Sequence, residues 1–141
     1  MQPRTLDDAA RTTMGNELAK FSLSLSGRKV KVSSYTADAE GVVFSLEIID
    51  VLTKARIDFD PVVGRLMPVG LVDMGVKITG PVSDENFIRA LATDIHSYAD
   101  TAVFAEWNPK YKDLEVLVAA KPVPGLPNVK TQATQPSSTS H

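Results

Sequence analysis

The reading of residues 41–50, GVVFSLEIID, decides the fold. Val42, Phe44, Leu46 and Ile48 share one parity, and Ser45 and Glu47 share the other. A period of two marks a half-buried strand, so this stretch predicts a β-strand with its four apolar residues inward. Residues 54–61, KARIDFDP, repeat the pattern, with Ile57 and Phe59 on one side and Lys54, Arg56, Asp58 and Asp60 on the other. TADAEG before residue 42 and DVLTK after Ile49 read as turns. Residues 62–81 are β-like but broken by Gly64, Pro68, Gly70 and Gly75. They predict one or two irregular strands at a sheet edge, where proline is tolerated. Residues 113–120, DLEVLVAA, predict a last strand with Leu114, Val116 and Val118 inward against Glu115 and Leu117.

Helical periodicity lies on either side of these strands. In residues 5–21, Leu6, Ala10, Met14, Leu18 and Phe21 make one apolar stripe. Thr5 stands as the cap, with Asp8 at capping-box spacing. Gly15 is unexpected inside this helix, since it costs about 1 kcal/mol relative to Ala. Residues 21–25 have two readings. They can form the first arm of a hairpin turning at Ser26-Gly27, or they can prolong the helix to Leu25 with Gly27 as its C-cap. The continued stripe of Leu18, Phe21 and Leu25 favours the helix. Residues 83–107 predict a long second helix. Ser83 is its N-cap, Asp84 and Glu85 lie in its first turn, and Ile88, Leu91, Ile95, Ala99 and Ala102 form its stripe. Asn108-Pro109 ends it.

The expected architecture is therefore α+β. It is a mainly antiparallel sheet of four to five strands with two helices on one face, in the order α-β-β-β-(β)-α-β. Residues 1–120 form the domain. Residues 121–141 carry the proline tract PVPGLP and a polar low-complexity end, and read as a linker and disordered tail. Pro124 and Pro127 have P-x-x-P spacing, which reads as a spacer.

Composition removes several function classes. The 141-residue chain has no cysteine, so thiol nucleophiles, disulfides and thiolate zinc sites are excluded. Its formal net charge of −2 gives no whole-molecule attraction to nucleic acid or anionic lipid. No apolar run approaches the roughly 20 residues of a membrane helix, and no apolar leader precedes the first helix. The expectation is a cytoplasmic protein without membrane contact.

Three residue sets carry candidate chemistry. The first lies in residues 93–100, TDIHSYAD, around His96. Asp94 and His96 fall to opposite sides of the helix stripe, whereas His96 and Asp100 share a face. One His and one Asp supply half a zinc site at most, so this stretch reads as a solvated flank. The second is the carboxylate set Glu47, Asp50, Asp58 and Asp60, which could bind a divalent cation if strands brought it together. Lys54 and Arg56 share that face and make it an ordinary mixed-charge surface. The third is GRKVKVSSY, where Arg28, Lys29, Lys31 and Tyr35 could hold a phosphate backbone and stack one base. A lone tyrosine is thin for stacking, and strand lysines also block edge aggregation. There is no phosphate-binding, dinucleotide-binding, nucleophile-elbow or zinc-protease motif, and none that assigns the chain to a family.

The sequence thus leads to a non-catalytic protein-interaction or assembly module that self-associates, an adaptor, chaperone-like or structural component. Its partner would be protein, including a second copy of itself. One alternative is a nucleic-acid accessory protein using Arg28, Lys29, Lys31 and Tyr35. Another is a small carboxylate-dependent hydrolase or metal enzyme using Asp58, Asp60 or His96. No catalytic residue, metal ligand or cofactor is assigned.

Overall fold

The computed structural model describes residues 3–67 and 74–120. In chain order the elements are α1 (Asp8–Leu18), a 3₁₀ turn (Ala19–Phe21), β1 (Val30–Tyr35), α2 (Ala39–Lys54), β2 (Phe59–Leu66), β3 (Val76–Gly80), a second 3₁₀ turn (Val82–Asp84), α3 (Glu85–Ala99), β4 (Val103–Trp107) and β5 (Leu114–Val118). The tail expected over residues 121–141, including Pro124 and Pro127, lies outside the described residues, as do Pro68 and Gly70. Among the described residues no helix is long and apolar enough to cross a membrane.

Residues 41–50 are not a strand; they are the body of α2. Its buried positions are Gly41, Phe44, Ser45, Ile48, Val51 and Leu52, a spacing of three and four that only a helix brings to one side. The apparent alternation arose because the segment carries more apolar residues than its buried face uses. Val43 and Leu46 stand 55% and 53% exposed on the outer side. Asp38 starts the helix, its Oδ1 accepting the Gly41 N–H at 3.1 Å. The helix also has a topological role. β1 and β2 are parallel neighbours, and such a pair needs a crossover of a dozen or more residues.

The second long helix is also shorter than its stripe suggested. α3 ends at Ala99, where Asp100 takes the left-handed conformation (φ 50°) and gives its N–H to the His96 carbonyl. Residues 103–107 are then β4. Residues 21–25 are not a hairpin arm. The chain winds on from α1 through the 3₁₀ turn and successive turns to Gly27 (φ 80°). The cap of α1 is Asp7 rather than Thr5, with Oδ1 accepting from the Ala10 N–H at 2.8 Å.

The sheet has five strands in the order β2-β1-β5-β3-β4. Among the described residues three of its pairs are parallel and only β3–β5 is antiparallel, so the sheet is mixed and not mainly antiparallel. Among the described residues three helices, not two, accompany it. β1-α2-β2 and β3-α3-β4 are two parallel units, and β5 lies between them. The irregular region splits accordingly: β2 is an edge strand and carries Pro61, whereas β3 is interior. Val30, Val32, Val76, Ile78, Leu114, Val116 and Val118 all face one core with Phe44, Ile48, Phe87, Ile88, Leu91 and Ile95. All three helices therefore cover the same side of the sheet, with α1 packed across α2 and α3.

The amino-terminal segment is fastened by polar bonds. Arg4, 3% exposed, gives N–H bonds to Glu40 Oε1 (2.6 Å) and Oε2 (3.0 Å), to the Ala119 carbonyl (2.7 Å) and to the Gly75 carbonyl (3.5 Å). Its guanidinium also lies 5.2 Å from the centre of the Phe44 ring. A buried charge is tolerable only when its donors are met in this way. Glu47 accepts the Leu6 N–H at 2.7 Å, and Asp50 pairs with Arg11 at 2.8 Å. Two of the four candidate carboxylates are thus occupied in holding α1 to α2.

Gly15 is buried where α1 meets α2. A Cβ there would lie 2.6 Å from the Lys54 Cβ. Gly15→Ala gains about 1 kcal/mol of helix propensity but forces two helix backbones apart, and such overpacking costs about 1–3 kcal/mol. The clash involves a Cβ that cannot swing aside, so overpacking wins. Urea denaturation should give Gly15→Ala a lower midpoint than the parent chain; an equal or higher midpoint contradicts the close approach.

Candidate functional site: a basic cleft on the uncovered sheet face

The side of the sheet away from the helices carries two cross-strand rows. One reads Asp60, Lys31, Glu115, Thr79, Glu106, and the next reads Val62, Ser33, Leu117, Lys77, Phe104. Among the described residues no helix or strand covers them. The loop from Asn108 to Asp113 does reach back over one end. It is set by Asn108, whose Oδ1 accepts the Lys110 N–H (2.9 Å) and whose carbonyl accepts the Tyr111 N–H (3.0 Å). The Tyr111 hydroxyl then donates to Glu106 Oε1 at 3.0 Å. Burial, and after it the bond to Glu106, push the Tyr111 phenol up to about 12. It therefore remains a donor at neutral pH, supplying the partner that the buried Glu106 carboxylate needs. On β1, two strands removed from β3, Ser33 Oγ donates to Glu115 of the adjacent β5 at 2.9 Å.

Between this loop and the start of β1 lies a cleft of about 510 Å³ lined by Gly27, Arg28, Lys29, Lys31, Asp60, Lys112, Asp113 and Leu114. Gly27, at positive φ, turns the chain so that Arg28 and Lys29 come to its rim. Arg28 is fixed by a two-pronged bond to Asp84, with Nη1–Oδ1 at 2.9 Å. Asp84 itself is only 6% exposed. This bond, against the cost of burial, raises the Arg28 pKa above its ordinary value. Lys31 lies in register between Asp60 on β2 and Glu115 on β5. Among the described residues Lys29, Lys31 and Lys112 have no ion-pair partner within 4.0 Å.

The structure thus joins three of the four residues of the basic candidate. Tyr35 is separate from them, at the opposite end of β1 opposite Leu66. Lys112 and Asp113 complete the cleft, and no signal near GRKVKV in the sequence points to them. Their place depends on β5 pairing in parallel beside β1, a long-range contact.

The carboxylate set is not brought together. Asp58 and Asp60 are exposed at the β2 edge, while Glu47 and Asp50 serve α1. His96 belongs to α3, which packs over β3 and β4 at the other edge. Its Nδ1 is 3.0 Å from the Thr101 carbonyl, a contact that assigns the Nδ1 proton. Among the described residues no group of three His, Asp or Glu side chains could hold a metal ion.

Asp94 meets a different partner, Glu17 on α1. Partial burial, then the hydrogen bond and charge of Glu17, raise its pKa from 3.8 to about 7, against a smaller opposing pull from Lys20. A proton kept by the folded chain and lost by the unfolded one stabilises the fold. Here that contribution is complete below about pH 4 and is lost as pH rises towards 7. Asp94→Asn imitates the protonated state. Since the site is only partly buried and solvent screens it, the gain is about 0.5–1 kcal/mol. Melting temperatures should match the parent near pH 4 and exceed it by a few degrees at pH 8; a gain of equal size at both pH values contradicts the carboxyl pair.

No protein-family model matches the chain, and no curated protein or solved structure is detectably similar to it.

Proposed function

We propose that the chain is a non-catalytic assembly module that pairs with a second copy of itself along the outer edge of β4. The observation that carries this reading is a difference between the two sheet edges. Exposed strand edges present unpaired N–H and C=O groups and are ordinarily defended. β2 is defended. Pro61 has no N–H to offer, and the ladder is interrupted between Ser33 and Tyr35, where Gly64 (φ 69°) gives its N–H to Ser34 Oγ at 2.6 Å. β4, VFAEW, has no Pro, Gly or Lys.

The hydrogen-bond parity of β4 is known. Val76 N–H bonds the Ala102 carbonyl, and Asn108 N–H bonds the Gly80 carbonyl. The even-numbered residues therefore serve β3, and Val103, Ala105 and Trp107 direct their backbone groups outward. Among the described residues no strand pairs with that side. Two side chains of α3 flank the edge. Arg89 lies 4.6 Å from the centre of the Trp107 ring, and His96 touches the Thr101 carbonyl. Antiparallel pairing about a twofold axis would give one continuous sheet. The helices and the Phe104 side of the face would supply the rest of the roughly 1,000 Å² that a stable interface buries.

Light scattering of the full chain should give the mass of two chains. Ala105→Pro removes an outward N–H without touching the β3 ladder, so it should yield single chains that remain folded, with self-affinity lower by at least about tenfold. A parent chain that stays single at about 1 mM, or a proline variant that still pairs, overturns the reading.

A further inference from the structure

We propose that the cleft between β1 and the Asn108–Asp113 loop binds a small phosphorylated sugar or polyol. It is a separate site from the β4 edge, and it stands on its chemistry. Four cationic side chains line it, Arg28, Lys29, Lys31 and Lys112, against two carboxylates, Asp60 and Asp113. The lining therefore carries a cationic excess in a chain whose net charge is −2. Three of the cations, the lysines, have no ion-pair partner among the described residues.

The cleft is organised before any ligand arrives. The buried Asp84 holds the Arg28 fork by two of its five N–H groups, and among the described residues the others have no partner. Asp84 is thus a positioning residue for Arg28. Lys31 is held on a strand between Asp60 and Glu115. A guanidinium and lysines converging on one cavity suit the oxygens of a phosphate ester. Asp60 and Asp113 are acceptors only, and suit the hydroxyl groups of a polyol.

The lining also discriminates among phosphate compounds. It contains no aromatic ring, and Tyr35 is at the far end of β1. Bases bound in single-stranded nucleic acid stack on aromatic side chains, and nothing here provides that surface. The two carboxylates would moreover repel a continuous phosphate backbone. A cavity of about 510 Å³ is of small-molecule size.

The test titrates the full chain with glucose 6-phosphate, glucose, inorganic phosphate and a fifteen-residue oligothymidylate, followed by amide chemical shifts and calorimetry. Glucose 6-phosphate should bind one to one with shifts centred on residues 27–31 and 112–114, more tightly than inorganic phosphate, while glucose gives none. Lys29→Ala combined with Lys112→Ala, both exposed positions, should keep the parent melting temperature and weaken binding at least about tenfold. Arg28→Lys keeps the charge but loses the fork, and should weaken binding as well. The proposal is overturned by no shifts up to about 10 mM glucose 6-phosphate, by inorganic phosphate binding equally well, by unchanged affinity in the double variant, or by tighter binding of the oligonucleotide. None of these results bears on pairing through β4, which is read from mass alone.

Discussion

One antiparallel strand pair, β3 against β5, joins the two halves of this molecule. Each half is a parallel strand-helix-strand unit, and such crossovers are right-handed. The units run in opposite directions and step away from β5 to opposite sides. Under a common handedness, that arrangement puts α2 and α3 on the same side of the sheet. The single apolar parity of β1, β3 and β5 follows, because among the described residues helices cover only one side of the sheet. The basic cleft and the two cross-strand rows exist because the other side is left over. Arg4 lies on this seam. It bonds the carbonyls of Gly75 and Ala119, where β3 begins and β5 has just ended, while Glu40 ties it to α2.

Much of the core was legible in the sequence. Leu6 just before α1, Ala10, Met14 and Leu18 on α1, Ile88, Leu91 and Ile95 on α3, and Leu114, Val116 and Val118 on β5 are all buried as their spacing implied. In each case these buried residues keep a single period, four or three in the helices and two in the strand. α2 is harder to read. Its extra Val42, Val43 and Leu46 let a period of two overlay the true helical one, and the decisive sign was the Asp38 cap rather than the apolar pattern. The end of α3 was hidden for another reason. The residue in the left-handed position is Asp100 and not glycine, so the stripe seemed to continue through Ala102. Sheet order was beyond local pattern altogether. A parallel pair such as β1–β5 joins residues some eighty apart in the chain, and no local motif marks such a pairing.

The site was legible to the extent that it is local. Arg28, Lys29 and Lys31 adjoin in sequence and line one cavity. Tyr35 shares the parity of Lys31 but is carried away along the strand, because four residues of extended chain span about 13 Å. Lys112 and Asp113 arrive from the other end of the chain, through a loop positioned by Asn108 and Tyr111. The carboxylates show the converse. Glu47 and Asp50 seem available in the sequence, yet each is occupied by a group from the first eleven residues. These acidic side chains fasten a helix instead of forming a reaction centre.

The asymmetry between β2 and β4 would also limit the stoichiometry of the proposed pairing. A sheet with two receptive rims can add copies without end and become a ribbon. Here Pro61 and the interruption at Gly64 blunt one rim, so any extension beginning at Val103–Trp107 has nowhere to continue after a single addition. On the pairing proposed above, growth would end at a closed pair and would need no cap, ligand or chaperone to stop it.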